Sequence, residues 1–384
     1  MIGNPSLEAG AGTAVLAPPK PFASPAPWKP APPAPLPPSG PTPFMRFRGS
    51  AGFSMAAAAF GFVLLGSLFF LLVGQPPLAT FAAMFRGAFG DAYSVSETLV
   101  KTAPILLCAA AAALPARLGL ISVGGEGQFY AGAMAGTALV LAFPGTSGWV
   151  LLPGMLIGSA LGGAAWALVS GALKARLNVN ETITTLLLNY VASLLVDYLV
   201  YGPWKDPGNL GWPATVPFPE AARLPAFFGT RAHVGLLIGI GAALLLHLLT
   251  ARTRWGMSLR LLRSNRKVAE GSGLRYGRQA LLVVCLGGVL AGMAGICETS
   301  AIQGRLQSGI SNGMGFSGFL VAWMAGQDFL RILPLSLLLG GLLASADSLQ
   351  MIAGLPSSAA LVLQGLLFAS VLAAGRLRKA GPHG

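Results

Sequence analysis

The sequence predicts an all-α polytopic membrane protein, a helical bundle of about ten transmembrane helices with both termini cytoplasmic. Three observations predict it. Hydrophobic residues make up 54% of the chain, charged residues only 10%, and mean hydropathy is +0.68, whereas soluble domains carry about 25% charged residues. Ten apolar runs approach the roughly 20 residues that a helix needs to cross a bilayer. The 25 Lys and Arg residues fall very unevenly on the loops between those runs. The net charge of +13 suits nucleic acid in a soluble protein; here the loop bias of membrane proteins accounts for it, and no nucleic-acid partner is expected.

Residues 1–43 hold 14 of the 29 prolines, with Ala, Gly and Ser and no apolar run. Such a segment buries too little surface to offset its ordering entropy. Residues 1–50 therefore read as a disordered cytoplasmic tail, 51–376 as the transmembrane domain, and 377–384 as a second short cytoplasmic tail. Arg46 and Arg48 precede the first span, 53–73. The others are expected at about 97–115, 119–143, 148–173, 182–201, 233–251, 280–302, 315–330, 332–352 and 357–375. The eighth of the ten, 315–330, is short and reads as fully crossing or as re-entrant. This arrangement puts 19 Lys and Arg on the cytoplasmic side and six outside, the bias expected of the proposed orientation and not of its inverse.

The polar stretch 252–279 between two apolar runs is the largest contributor to that bias. It holds eight basic residues, Arg252, Arg254, Arg260, Arg263, Arg266, Lys267, Arg275 and Arg278, against one acid, Glu270. The long loop 202–232 on the other side is rich in Pro, Gly and aromatic residues, and suits either an interfacial or partner-facing element or a plain connection. Many of the 52 glycines fall inside spans, as at Gly158, Gly162, Gly163, Gly287, Gly288, Gly340 and Gly341. Small residues let helix backbones approach closely in lipid.

Only 12 acids occur, so those at membrane depth carry information. Gly124, Gly125, Glu126, Gly127 and Gln128 interrupt an apolar run ahead of Phe129 and Tyr130. A broken helix lining a cavity tolerates such a sequence, and so does a buried hydrogen-bond cluster that fixes packing. Glu181, Thr185, Asn189, Ser193 and Asp197 recur at steps of four, a slowly winding stripe on a helix. It lines either a pathway or a polar seam between helices. Glu298, Asp328 and Asp347 fit ordinary structural roles. No Gly-Lys dipeptide occurs, so no Walker-type phosphate loop is present. The three histidines and three cysteines form no metal-ligand spacing. Gly315-Phe316-Ser317-Gly318 matches the GxSG of membrane serine proteases, yet the only later histidine is His383 in the tail.

The chain resembles the membrane-spanning permease subunits of ABC importers in the branched-chain amino acid and ribose superfamily, and within it the nucleoside-type permeases. Four patches carry the resemblance: Gly119-Leu120-Ile121-Ser122-Val123-Gly124-Gly125-Glu126-Gly127-Gln128, where Ser122 replaces the usual Asn; Asn180 to Tyr190 followed by Gly202-Pro203-Trp204-Lys205-Asp206-Pro207; Gly304-Arg305-Leu306 with Gly313-Met314-Gly315-Phe316; and the segment 252–279. The resemblance covers residues 53–375. The resemblance implies a transport subunit in the cell membrane, not an enzyme, with ATP hydrolysed on a separate ATPase chain and no cofactor of its own. It further implies a second permease subunit and an external substrate-binding protein as partners, and nucleosides or related sugars as cargo. Residues 252–279 are then the coupling loop, with Arg260, Asn265, Ala269, Glu270, Gly271 and Gly273 in contact with the ATPase. Arg263 stands where the family has Gly, and Ala325-Gly326-Gln327-Asp328 departs from its Leu-Gly-Arg-Asn. Glu126, Gln128, Phe129, Asn189 and Phe316 are the expected pathway residues. The alternatives read from the residues are an ion-coupled carrier using Glu126, Glu298 or Asp197, and, more remotely, a membrane protease using Ser317.

Overall fold

A chain this apolar satisfies its backbone in lipid only by closing every hydrogen bond within its own helices or in a closed barrel. In the computed structural model, residues 51–379 apart from 210 and 228 are described. The expected tail 1–50 and most of 377–384 lie outside them. The described residues contain no strand, only two isolated bridges.

The helices in chain order are α1 (Ala51–Leu72), α2 (Pro77–Phe89), α3 (Ala92–Ala116), α4 (Gly125–Ala142), α5 (Gly148–Leu177), α6 (Glu181–Tyr201), α7 (Val234–Arg252), α8 (Arg254–Ser264), α9 (Arg266–Gly271), α10 (Tyr276–Glu298), α11 (Met314–Met324), α12 (Phe329–Ala353) and α13 (Ser358–Lys379). Eight of them are long and apolar enough to cross a membrane: α1, α3, α5, α6, α7, α10 with the π turn Thr299–Gln303, α12 and α13. The two other expected spans are shorter as helices. The run 119–143 becomes helical only at Gly125, and 315–330 contains the 11-residue α11. Both begin where glycines and polar residues interrupt the apolar pattern. The 13-residue α2 falls between the first two expected spans; Pro77 occupies its first position, where the missing N–H costs the helix no hydrogen bond.

α3 is the most deeply buried helix, packed by α10, α11, α12, α7 and α2. The most extensive helix pair is α5 with α10, and α4 completes a triangle with them. Glycine makes this triangle possible. A Cβ on Gly163 would stand 2.7 Å from Gly292 Cα, and one on Gly288 would stand 2.6 Å from Ala167 Cβ and 2.9 Å from the Gly163 carbonyl carbon. The backbones of α5 and α10 are therefore in direct contact, the arrangement small residues allow in lipid.

The loop 202–232 is no free connection. Thr215 and Phe218 N–H donate to the Leu306 and Gly304 carbonyls at 2.9 and 2.7 Å. Ser300 Oγ donates to Ala222 C=O at 2.6 Å and accepts from Leu224 N–H at 3.0 Å. The loop thus covers the π turn and the following segment. At the same end Arg231 pairs with Glu97 at 2.8 Å.

Candidate functional site: the broken helices and the basic hairpin

Two regions concentrate the polar chemistry. The first lies where α4 and α11 begin. Residues 120–124 are non-helical, so their N–H and C=O groups need partners inside an apolar bundle. The stripe on α6 supplies them. Glu181 Oε1 accepts from Ile121 N–H at 3.3 Å and Thr182 donates to Ile121 C=O at 2.9 Å. Thr185 accepts from Val123 N–H at 3.2 Å. Asn189 is used twice: its oxygen accepts from Gly127 N–H at 2.8 Å and its amide donates to Val123 C=O at 3.0 Å. About two turns further on, Asp197 accepts from Ser308 at 2.6 Å. Lys174 on α5 pairs with Glu181 at 2.9 Å. The stripe is the polar seam that the step-of-four spacing allows, and it replaces the hydrogen bonds that a helical 120–124 would have made to itself. Gly127 is required here, because a Cβ would stand 2.9 Å from Asn189 Oδ1 and Trp166 Nε1.

Glu126 reaches the other broken helix. Its carboxylate accepts from Gly315 N–H at 2.8 Å, with Ser311 and the Gly313 and Phe316 backbone also directed at it. The first turn of a helix leaves N–H groups unpaired, and an acid there satisfies them and complements the helix dipole. Gly315 lets the start of α11 come against the Glu126 backbone. The N-termini of α4 and α11 therefore meet head to head through one carboxylate. Glu126, Gln128 and Asn189 are all buried, Phe129 is 0% exposed, and Phe316 is 37% exposed. Of the five expected pathway residues, Phe316 alone presents substantial surface in the single chain.

Ser317 donates to Gly313 C=O at 3.0 Å and accepts from Gln364 at 3.0 Å. It serves helix packing, and among the described residues no hydrogen bond joins it to a histidine. Glu298 is fully buried, with Gln303 at 3.4 Å from one oxygen. Among the described residues no group of three or more His, Cys, Asp or Glu gathers in one place.

The second region is the hairpin α8–α9 within 252–279. Thr253 caps α8 by accepting from Gly256 N–H, and Asn265 caps α9 by accepting from Val268 N–H at 3.2 Å. Asn265 thus ends one helix and starts the next. Leu259, Leu262 and Ala269 are buried beneath the hairpin, while Met257, Leu261 and Val268 are exposed on it. Gly271 and Gly273 are exposed, and Gly273 has φ +87°. Arg266 pairs with Glu270 at 2.9 Å and lies over the Tyr276 ring at 4.2 Å.

Two arginines one turn apart fasten α8 to the bundle. Arg260 Nη1 donates to Thr250 C=O at 2.8 Å, near the C-terminus of α7. Arg263 Nη1 donates to Ala116 C=O at 3.2 Å, the last residue of α3, and to Gln327 Oε1 at 3.1 Å. Helix C-termini present unpaired carbonyls and the negative dipole end, which cations favour. Arg117 beside them lies 5.2 Å over the Phe329 ring. Its guanidinium is held below its ordinary pKa, first by burial and then by the nearby Arg263 and Arg260, with Asp328 opposing. Sequence reading singled out Arg260 for ATPase contact and gave Arg263 no role; their attachment to helix ends depends on tertiary placement that spacing does not carry.

Residues 94–372 match the family model described as branched-chain amino acid transport system, permease component. The chain is 30% identical to the glucose ABC transporter permease protein TsgB13 of Haloferax volcanii, over 82% of this chain and 83% of that one. It is 27% identical to the guanosine ABC transporter permease protein NupP of Bacillus subtilis, over 83% and 94%. It is also 27% identical to the nucleoside ABC transporter permease protein NupB of Lactococcus lactis, over 77% and 83%. A permease component is a transport subunit and not an enzyme: ATP is hydrolysed on a separate ATPase, and a substrate-binding protein is the other partner. This sets aside both the ion-coupled carrier and the protease. The chain belongs to the permease-component family of branched-chain amino acid-type ABC transport systems and is a multi-pass plasma-membrane protein.

Proposed function

We propose that this chain forms half of the translocation pathway of an ABC importer for nucleosides or related hydroxyl-rich sugars. Two permease chains, alike or related, enclose the pathway. An external binding protein delivers cargo at the end covered by 202–232, and an ATPase docks on α8–α9 within the coupling loop 252–279. The tails 1–50 and 377–384 share the cytoplasmic side with that loop, in keeping with the 19-to-6 charge bias.

The observation that carries the docking is the hairpin itself. Met257 and Val268 are 62% and 57% exposed on a segment too basic for hydrocarbon. Exposed apolar residues rimmed by charge mark a protein contact. Gly271, Gly273, Glu270 and Asn265 shape the tip, Ala269 anchors it from below, and Arg260 holds α8 to α7. The cargo reading leans on the relatives named for glucose, guanosine and nucleosides. Phe316 lines the pathway and suits weak stacking on a base or sugar face. Glu126, Gln128, Phe129 and Asn189 form the wall that sets its position.

The test is uptake into proteoliposomes holding the complete transporter, with labelled guanosine, adenosine, glucose and leucine each in the presence of ATP. ATP-dependent uptake of a nucleoside or sugar, reduced in Phe316→Ala, is the expected result. Uptake of leucine alone overturns the cargo assignment.

A further inference from the structure

We propose that Arg263 is a positioning residue for transport, carrying displacement of the coupling hairpin into the half-length helix α11. This inference rests on the ATPase-docking reading above. It starts from how few ties join the hairpin to that part of the bundle. Arg263 Nη1 reaches Ala116 C=O at 3.2 Å and Gln327 Oε1 at 3.1 Å, so one guanidinium spans the end of α3 and the turn after α11.

That turn is suited to pass on a pull. Only 325–328 separate α11 from α12, and the chain there folds back on itself. Gly326 N–H donates to Trp323 C=O at 3.1 Å and Gln327 N–H to Ala322 C=O at 2.8 Å. Gln327 sits at φ +65°, a left-handed conformation uncommon for a residue with a side chain. Asp328 caps α12 by accepting from Leu330 N–H at 2.9 Å. A hydrogen-bonded turn of this kind moves with the helices it joins. Arg117 stacked on Phe329 ties the end of α3 to the same junction.

The far end of α11 is fastened as directly. Gly315 N–H donates to Glu126 at 2.8 Å, and α4 is bound to α6 through Gly127 and Asn189. Hydrogen bonds at the two ends of α11, joined by its backbone, therefore connect α8 through Gln327 to Glu126, and the adjacent Gly127 connects on to the seam on α6. Phe316, beside the Glu126 contact, is the exposed residue this connection would move. α11 has only 11 residues, about 16 Å at 1.5 Å per residue. A helix that short, held at both ends by side chains, tilts as a unit.

The experiment uses the complete transporter in proteoliposomes and reads substrate moved per ATP hydrolysed, with ATPase co-purification measured alongside. The variants are Arg263→Ala, Gln327→Ala, the double variant, and Arg263→Lys combined with Gln327→Glu. Each alanine variant is expected to retain the ATPase and its basal hydrolysis while transport per ATP falls roughly tenfold, the scale of one lost charged hydrogen bond. The double variant is expected to be no worse than either single one, and the Lys–Glu pair to recover much of the loss. Gln327→Ala tests the same contact should Arg263→Ala fold poorly. Additive losses, or loss of the ATPase in Arg263→Ala alone, overturn the proposal and make Arg263 a docking contact. An unchanged transport-per-ATP ratio in both alanine variants overturns it too. Absence of ATP-driven uptake in the unaltered transporter instead refutes the underlying importer reading.

Discussion

Gly163→Ala probes the packing that holds the two broken helices in place. The added Cβ would stand 2.7 Å from Gly292 Cα and 2.9 Å from Gly292 N, and would also overlap Gly288 C=O. Carbon atoms in good contact sit about 3.5–4.0 Å apart, so α5 and α10 must separate by roughly 1 Å. All three obstructing atoms are backbone, so no side chain can rotate away. Overpacking of this kind costs about 1–3 kcal/mol, and the upper end is expected because the longest helix contact in the molecule opens. Gly241→Ala in α7 is the control, since a Cβ there meets nothing within 4 Å; better helix propensity should leave it neutral or raise stability by about 0.5–1 kcal/mol. Thermal unfolding of both variants in one detergent, followed by intrinsic fluorescence and by loss of the monodisperse peak, gives the comparison. Equal melting temperatures for the two variants would show that α5 and α10 are not in backbone contact.

The seam and the helix cap make separate predictions. Asn189→Leu leaves the Gly127 N–H and Val123 C=O buried without partners, each worth about 1–3 kcal/mol, so it should melt well below Asn189→Gln or fail to accumulate in the membrane; a variant as stable as the parent would contradict the seam. Glu126→Gln keeps an oxygen for Gly315 N–H and should retain most transport, whereas Glu126→Ala leaves the start of α11 uncapped and should lose about 1 kcal/mol together with transport. Loss of uptake in Glu126→Gln equal to that in Glu126→Ala would contradict the capping role and point to a use of the carboxylate charge. Ala269→Arg drives a charge beneath the hairpin at a position 0% exposed, so it should reduce folded protein in the membrane; normal levels on an immunoblot would show that α9 does not pack as described.

The fold class was legible because lipid makes backbone pairing a strict condition, and the apolar runs at α1, α3, α5, α6, α7, α10, α12 and α13 meet it by length alone. The interruption at Gly124-Gly125-Glu126 also marked a break inside the expected span 119–143, and α4 begins there. What it left open was the partner of the freed backbone. The step-of-four spacing of Thr185, Asn189 and Asp197 fits a pathway and a seam equally well, because periodicity gives a face and not its neighbour. Distance in sequence hid the answer: Asn189 meets Gly127 across 62 residues and Glu126 meets Gly315 across 189. Phe129 has the same limitation; an aromatic beside a polar motif suits a gate, yet its position on α4 turns it into the core. The helix α2 escaped notice because it is too short to register as a span. In the hairpin, the charge of 252–279 gave the side of the membrane, while the attachment of Arg260 and Arg263 to α7 and α3 required knowing where those helices end.

The central claim is that α8–α9 is the surface through which a separate ATPase drives this chain. Gly271 offers a direct test, because it is exposed at the tip, has an ordinary φ, and has open space where a Cβ would go. The measurement is purification of the unaltered chain and of Gly271→Arg from native membranes in mild detergent, with mass spectrometry of the proteins that accompany each. The account predicts an ATPase subunit with the unaltered chain and its loss from Gly271→Arg at equal membrane levels of the permease. An ATPase retained equally by both would contradict docking at this hairpin, and no ATPase with either, from membranes whose other transport complexes stayed intact, would contradict the partnership itself.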